Sequence, residues 1–242
     1  MENNGDEDKV SSSNERRRLL GTLLKAPYIP YNPNKPYVIG LTGGLASGKS
    51  NIRNDLEKLG VPTIDCDKLG HKTYEKDTRA YKKIIEVFGA DILDANQNID
   101  RKLLGKKVFE KPNELKKLTD IVWPEIKSLL QEQVDSLFNS GHKIIVAEAA
   151  VLIDAKWHES MNEVWVCFVP YEEAIRRATE RDGSNIEKVK GILNSQMSNK
   201  ERIKYANVVF CSLWEREYTI KQVKKAWSLL LNRTIRTNLN KL

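Results

Sequence analysis

Gly43-Gly44-Leu45-Ala46-Ser47-Gly48-Lys49-Ser50 is the stretch from which the rest of this 242-residue chain can be read. It fits G-x-x-x-x-G-K-[ST] at every fixed position. Its flanks matter as much as the match. The apolar run Tyr37 to Thr42 before it reads as a short strand, and Ser50 to Leu59 after it reads as a helix that Gly60 stops. Between such elements, consecutive backbone N–H groups can gather round phosphate oxygens. Gly43 and Gly48 allow the close approach, and the helix start adds unpaired N–H groups and a positive dipole end. The Lys49 ammonium supplies charge for the β- and γ-phosphates, and the Ser50 hydroxyl suits a Mg²⁺ ion. The stretch predicts a nucleoside triphosphate site built from Gly43, Gly44, Leu45, Ala46, Ser47, Gly48, Lys49 and Ser50, holding ATP with Mg²⁺. Alone it does not separate kinase, ATPase and GTPase.

Outward from the loop, apolar runs alternate with helical patterns. Strands are expected at Val61 to Ile64, around Ile144-Ile145-Val146-Ala147, at Glu163 to Val169 and at Val208 to Phe210. Helices are expected over most of Lys68 to Phe88, at Arg101 to Phe109, at Asn113 to Phe138 with Pro124 interrupting, and at Glu172 to Arg181, Ile186 to Gln196 and Asn199 to Tyr205. Ile220, Val223, Trp227 and Leu230 mark one face of a closing helix. This pattern predicts an α/β fold of the P-loop type, a parallel sheet with helices on both faces. The second and third strands lie about 80 residues apart, too far for one crossover helix. A helical insertion at about 68–139 is therefore expected, with a lid at about 182–205. Residues 1–36 read as a flexible leader before a domain spanning 37–242. In it Glu2, Asp6, Glu7 and Asp8 cluster, prolines recur from Pro27 to Pro36, and Glu15 to Lys25 could form a docking helix with Leu19, Leu20, Leu23 and Leu24 on one side.

Composition removes several classes. No apolar run reaches the length of a membrane helix, and no secretory h-region opens the chain. Cys66, Cys167 and Cys211 form no C-x-x-C pair, which argues against a zinc site or disulfide framework and suits a reducing compartment. The expected location is the cytoplasm, with mitochondrial association as the alternative. Of the net charge of +7, the stretch from Lys221 onward carries +6, through Lys221, Lys224, Lys225, Arg233, Arg236 and Lys241. A solvated helix face explains this, and no nucleic acid partner is expected. The non-enzyme alternative is a nucleotide-dependent module using that tail on RNA or a membrane.

The base-reading N-K-x-D element of GTP switches is absent from the sequence. A small-molecule kinase accounts for the rest. Asp65 and Asp67, in Ile64-Asp65-Cys66-Asp67, follow the second strand, where a parallel sheet binds ligands. Asp67 there could take the proton of an attacking hydroxyl; a pair of turn or N-cap aspartates is the plainer alternative. Arg177 and Arg181 share a helical face just before Asp182-Gly183 and could clamp a phosphoryl group in transfer. The alternative is an ion pair of Arg177 with Glu173 or Glu180. Arg176 points elsewhere. His142 and His158 read as surface or turn residues, and Trp165 and Trp227 as packing.

With these residues in view the chain resembles the dephospho-coenzyme A kinase family, from about Tyr37 to about Leu231. The carrying residues are Ile39 to Ser50, Ile64 to Asp67, Phe88-Gly89, Arg101 with Leu104 and Phe109, the arginine helix, and Gln196. It is most similar to the kinase part of the animal bifunctional coenzyme A synthase. That likeness rests on Asp67 to His71, Trp123-Pro124, Ala149 to Leu152, Trp157, Gln196 to Ser198 and the leader segment Leu19 to Tyr28. The resemblance implies an ATP-dependent kinase that phosphorylates the ribose 3′-hydroxyl of dephospho-coenzyme A. It implies Asp67 as general base, Lys49, Arg177 and Arg181 as catalytic cations, Ser50 as metal ligand, and Asp65, Asp67, His71 and Arg101 on the acceptor side. It also implies either a stand-alone kinase or fusion or association with a phosphopantetheine adenylyltransferase, a domain that 36 leader residues cannot hold. Another P-loop metabolite kinase is the enzyme alternative. Glu148 and Asp154 lie where the family carries acids, but Ala150-Val151-Leu152-Ile153-Asp154 departs from the family pattern, so neither is assigned to Mg²⁺.

Overall fold

In a computed structural model of the chain, the backbone is described for residues 17–108 and 111–239, and side chains to residue 234. The leader's acidic cluster, the first residues of the expected docking helix, Phe109 and Lys241 lie outside the described residues, as does the Arg236 side chain. The described chain runs β1 (Tyr37–Gly43), α1 (Lys49–Lys58), β2 (Thr63–Asp65), α2 (Cys66–Lys72), α3 (Arg79–Phe88), α4 (Arg101–Val108), α5 (Pro112–Asn139), β3 (Ile144–Glu148), β4 (Glu163–Phe168), α6 (Tyr171–Asp182), α7 (Ile186–Ser195), α8 (Asn199–Tyr205), β5 (Val208–Cys211) and α9 (Arg216–Leu239). It divides into one compact unit of Met1–Thr63 with Gly141–Leu242, and a second of Ile64–Ser140. No helix of the described residues is long and apolar enough to cross a membrane.

Among the described residues the strands form one sheet in the order β2-β3-β1-β4-β5. β1 pairs in parallel with β3 on one side and β4 on the other, and β4 with β5. All seven residues of β1 are buried, as a central parallel strand covered on both faces requires. Its side chains Ile39 and Leu41 join Ile52 and Leu56 of α1, Trp165 of β4, Phe210 of β5, and Val223 and Leu230 of α9 in one core. Trp165 is packing, as expected, and Trp227 lies half-buried against the same core. The register fixes the chemistry to come. Leu41 pairs with Glu148 and Gly43 with Cys167, so the ends of β3 and β4 flank the loop that leaves β1.

A buried polar link seats α9 on this unit. Glu163 is fully buried at the start of β4 and accepts from Tyr37 Oη at 2.6 Å, Trp165 Nε1 at 2.7 Å and Arg233 Nη2 of α9 at 2.6 Å. Burial, and then the neighbouring carboxylate, push the Tyr37 phenol pKa up. Arg233 is thus structural, and Lys225 likewise donates to the carbonyls of Arg18 and Leu20. The tail cations are not all a solvated face.

The leader differs from the expected helix. Among its described residues it is helical only at residues 17–19. Gly21 then turns at φ 72°, its N–H donates to Val209 O at 2.9 Å, Leu23 bridges Val208 antiparallel, and Leu24 N–H donates to Asn207 O at 2.7 Å. A Cβ at Gly21 would collide with Gln222 O. The segment expected to be flexible is seated as a strap on the β5 edge, where open N–H and C=O groups invite pairing. It continues to α8, where Lys25 Nζ donates to Lys204 O at 2.8 Å and Tyr28 Oη to Tyr205 O at 2.7 Å. His158 lies edge-on to the rings of Tyr28 and Tyr205.

In the second unit, α5 carries Leu118, Val122, Ile126, Leu130 and Val134 on its buried side. Pro124 does not interrupt it: α5 is one helix of 28 residues. The proline costs one hydrogen bond, and the buried stripe on both sides of it holds the helix together. The expected helical stretch from Lys68 to Phe88 is broken instead before Thr78, whose hydroxyl caps α3 by accepting from Tyr81 N–H.

Candidate active site

The loop between β1 and α1 has the shape its sequence predicts. Gly48 is the N-cap of α1 at φ 90°, with Ser212 Oγ 2.9 Å from where a Cβ would stand, so only glycine closes the turn. Ala46 also adopts a left-handed φ, of 54°. Each part of the loop is held by a different element. Leu45 N–H donates to Gln196 Oε1 at 3.0 Å. Ser47 O accepts from Cys167 Sγ at 2.7 Å and from Ser212 Oγ at 2.8 Å. Burial pushes the Cys167 pKa up to about 12, so the group is a thiol and can donate. Lys49 Nζ reaches back to Gly44 O at 3.1 Å.

Ser50 Oγ donates to Glu148 Oε1 at 3.1 Å, and Arg53 Nη1 stands 3.1 Å from Glu148 Oε2. A hydroxyl beside a buried carboxylate is a hard-oxygen pair. That suits Mg²⁺, which keeps most of its waters and takes few protein ligands beside a nucleotide. The donor set therefore fits the ion expected at Ser50.

Ala46 to Asn51, Arg177 and Arg181 line a single cavity of about 350 Å³. The structure thus brings the two predicted arginines to the phosphate loop. Arg177 is gripped on three sides: Nε by Glu173, Nη1 by Ser212 Oγ at 2.8 Å and Nη2 by Ser212 O at 2.6 Å. So the ion pair with Glu173 and the place at the loop coexist. Hydrogen bonds from Arg176 and then Arg177 hold the Glu173 carboxyl down at about 2. Arg181 is mostly exposed and forked onto Asp182 at 2.7 Å. Arg176 pairs with Glu173 and Glu180.

The remaining predicted residues belong to the second unit. Asp65 caps α2, its Oδ1 accepting from the N–H of Asp67 and of Lys68, each at 3.1 Å. That is the capping alternative realised for Asp65, and it fixes the backbone of Asp67. Asp67 is exposed in the first turn of α2, and His71, also exposed, lies one turn further on. Arg101 stacks its guanidinium 5.9 Å from the centre of the Tyr74 ring. Together they edge a cavity of about 430 Å³ with Leu104, Val108 and Leu118. The acidic group the sequence left unassigned, Glu148, was signalled by its place at the end of an apolar strand. Cys167 and Ser212 carried no signal, being small residues whose partner is a distant carbonyl.

The model of the protein family described as Dephospho-CoA kinase matches residues 37–212. A protein of Carboxydothermus hydrogenoformans named Dephospho-CoA kinase is 36% identical over 77% of this chain and 90% of its own length. One of Geobacter sulfurreducens with the same name is 35% identical over 79% and 97%. Among solved structures, Dephospho-CoA kinase from Campylobacter jejuni superposes with a TM-score of 0.61 at 26% identity, covering 80% of this chain and 96% of the other. TT1252 from Thermus thermophilus gives a TM-score of 0.71 at 26% identity over 83% and 98%.

Proposed function

The chain belongs to the dephospho-CoA kinase family, and on that premise we propose how its residues divide the transfer of a phosphoryl group from ATP to dephospho-coenzyme A. The chain is an ATP-dependent phosphotransferase that makes coenzyme A. The observation that carries the reading is the single cavity shared by the phosphate loop, Arg177 and Arg181, within the span matched by the family. Backbone N–H groups from Gly43 to Ser50 hold the triphosphate. Lys49 leaves its contact with Gly44 O to meet the β- and γ-phosphates. Arg177, fixed by Ser212 and Glu173, and Arg181 balance the charge spread over the phosphoryl oxygens in the transition state. Ser50, with Glu148 beside it, would hold Mg²⁺, whose charge would offset that of the phosphate oxygens.

Asp67 takes the proton of the ribose 3′-hydroxyl as that oxygen attacks. Support comes from the resemblance and from the anchoring of its backbone by Asp65. Asp65, His71 and Arg101 serve the acceptor, the unit Ile64–Ser140 is the acceptor-binding insertion, and residues 182–205 are the lid. Three buried cysteines, none of them in a disulfide, suit a reducing compartment such as the cytoplasm. The likeness of the leader extends the proposal to association with an adenylyltransferase, with mitochondrial association as the alternative location. The test is a coupled ATP assay with dephospho-coenzyme A on wild type and Asp67→Asn. Loss of a general base lowers turnover about 10²–10⁴-fold with ATP affinity retained. Wild-type turnover in the variant removes Asp67 from the role.

A further inference from the structure

Arg202 of α8 is a cation buried with only 3% of its surface exposed. Its guanidinium makes no hydrogen bond and no ion pair within 4 Å among the described residues. Asp154 acts on it only at longer range, too weakly to offset the loss of solvent, so its pKa falls. An unpaired buried charge is costly, and arginine cannot escape by losing its proton. Such a group stands where a ligand brings the missing anion.

The place is specific. Arg202 opens into a cavity of about 350 Å³ whose other walls include Gly44, Leu45 and Ser47 of the phosphate loop, with Gln196 and Asn199. A Cβ on Gly44 would lie 3.3 Å from Arg202 Nη1, so the guanidinium reaches the loop backbone itself, past a residue with no side chain. The neighbouring polar groups are already engaged: Gln196 Oε1 accepts from Leu45 N–H, and Asn199 Nδ2 donates to Val169 O at 2.7 Å. Arg202 is also held still. A reciprocal Ser198–Glu201 cap fixes the start of α8, and the strap residues Lys25 and Tyr28 hold its last carbonyls.

In a loop of this kind the α- and β-phosphates rest on the backbone leading into the helix, with the lysine reaching the β- and γ-phosphates. Gly44 is at the opposite end. Resting on the kinase reading above, we propose that Arg202 binds the terminal, transferring phosphoryl group of ATP, entering from the α8 side while Lys49, Arg177 and Arg181 enter from the other. During transfer the γ-phosphorus bond to the ADP oxygen breaks and a bond to the acceptor hydroxyl oxygen forms. Arg202 exchanges no proton. Its planar fork of N–H donors matches two phosphoryl oxygens with parallel bonds in a fixed geometry that an ammonium, a point charge, does not offer.

The test compares ADP with the non-hydrolysable β,γ-imido analogue of ATP, both with Mg²⁺, by calorimetry on the full chain. In Arg202→Met the analogue loses about tenfold or more in affinity while ADP stays within about twofold, because ADP lacks the group Arg202 contacts. In Arg202→Lys, which keeps the charge and loses the fork, kcat for dephospho-coenzyme A falls about tenfold or more with ADP affinity unchanged. Equal weakening of both nucleotides, or no change in either, overturns the proposal, as does a wild-type kcat in Arg202→Lys should the Met variant fail to fold. The binding arm needs no acceptor, so a wild type inactive on dephospho-coenzyme A refutes the family activity without touching the discrimination between nucleotides.

Discussion

Ser212 is the joint between the phosphate loop and the arginine helix, and removing its hydroxyl tests whether that joint carries catalysis. Its Oγ accepts from Arg177 Nη1 and donates to Ser47 O, each at 2.8 Å. The first is a charge-assisted bond worth about 1.5–3 kcal/mol, the second a neutral one worth about 0.5–1.5 kcal/mol. Ser212→Ala does not lose the full sum. Arg177 keeps the Ser212 carbonyl, and Ser47 O keeps the Cys167 thiol. A loss of about 2 kcal/mol in stability follows. The same loosening of Arg177 lowers kcat/KM for ATP about tenfold or more, since each 1.36 kcal/mol of lost transition-state stabilisation is a factor of ten. Urea unfolding and the coupled assay, run on Ser212→Ala, Arg177→Met and the double variant, close a cycle. If the two groups act as one unit, the cycle shows a coupling of about 1–2 kcal/mol in kcat/KM. Additivity within about 0.5 kcal/mol in both measurements would show that Ser212 merely fills space beside the loop.

Three further perturbations probe the frame. Glu163→Ala removes the acceptor shared by Arg233, the Tyr37 hydroxyl and the Trp165 indole N–H, and urea unfolding should register a loss of about 3–5 kcal/mol; Glu163→Gln, which keeps the shape, should lose less. Gly21→Ala places a side chain at positive φ against Gln222 O, costs about 1–3 kcal/mol, and should raise hydrogen exchange at Gly21 and Leu24 before the sheet core opens. Glu173 titrates at about 2 when folded instead of 4.5, so its stabilisation is complete above pH 4.5 and fades as pH falls towards 2. The difference in melting temperature between wild type and Glu173→Gln should shrink over that window; a difference constant from pH 6 to pH 2 contradicts the pairing with Arg176 and Arg177.

The legible part of this molecule is the part whose physics is local. A phosphate loop is eight consecutive residues, and both the turn and the helix start are written in them. The leucines of the leader mislead because Leu19, Leu20, Leu23 and Leu24 satisfy a helical period, while Gly21 in their midst is the residue that breaks it. The open edge of β5 then offers the segment backbone partners that an isolated short helix lacks. Arg202 misleads in the opposite direction. A cation in Asn199-Lys200-Glu201-Arg202 reads as one more solvated charge, and only the tertiary packing of α8 against β4, with Gly44 beside the guanidinium, buries it. Glu148 and Ser50 are 98 positions apart, and the pairing of Leu41 with Glu148 is what brings them together.

The same register explains why the loop is rigid before any nucleotide arrives. β1 lies between β3 and β4, so whatever ends those strands must border the turn that follows β1. Glu148 ends one strand and reaches Ser50; Cys167 lies near the end of the other and reaches Ser47 O; Ser212 follows β5 and reaches the same carbonyl; Gln196 comes in from beyond α7 to Leu45 N–H. These four contacts, from segments far apart in sequence, hold a loop whose own sequence, rich in glycine, would otherwise leave it free. Their effect is entropic: the ordering that a phosphate would have to impose is already supplied by folding, so binding energy is left for the transition state. The contact of Lys49 with Gly44 O fits that economy, because it keeps the ammonium at the loop.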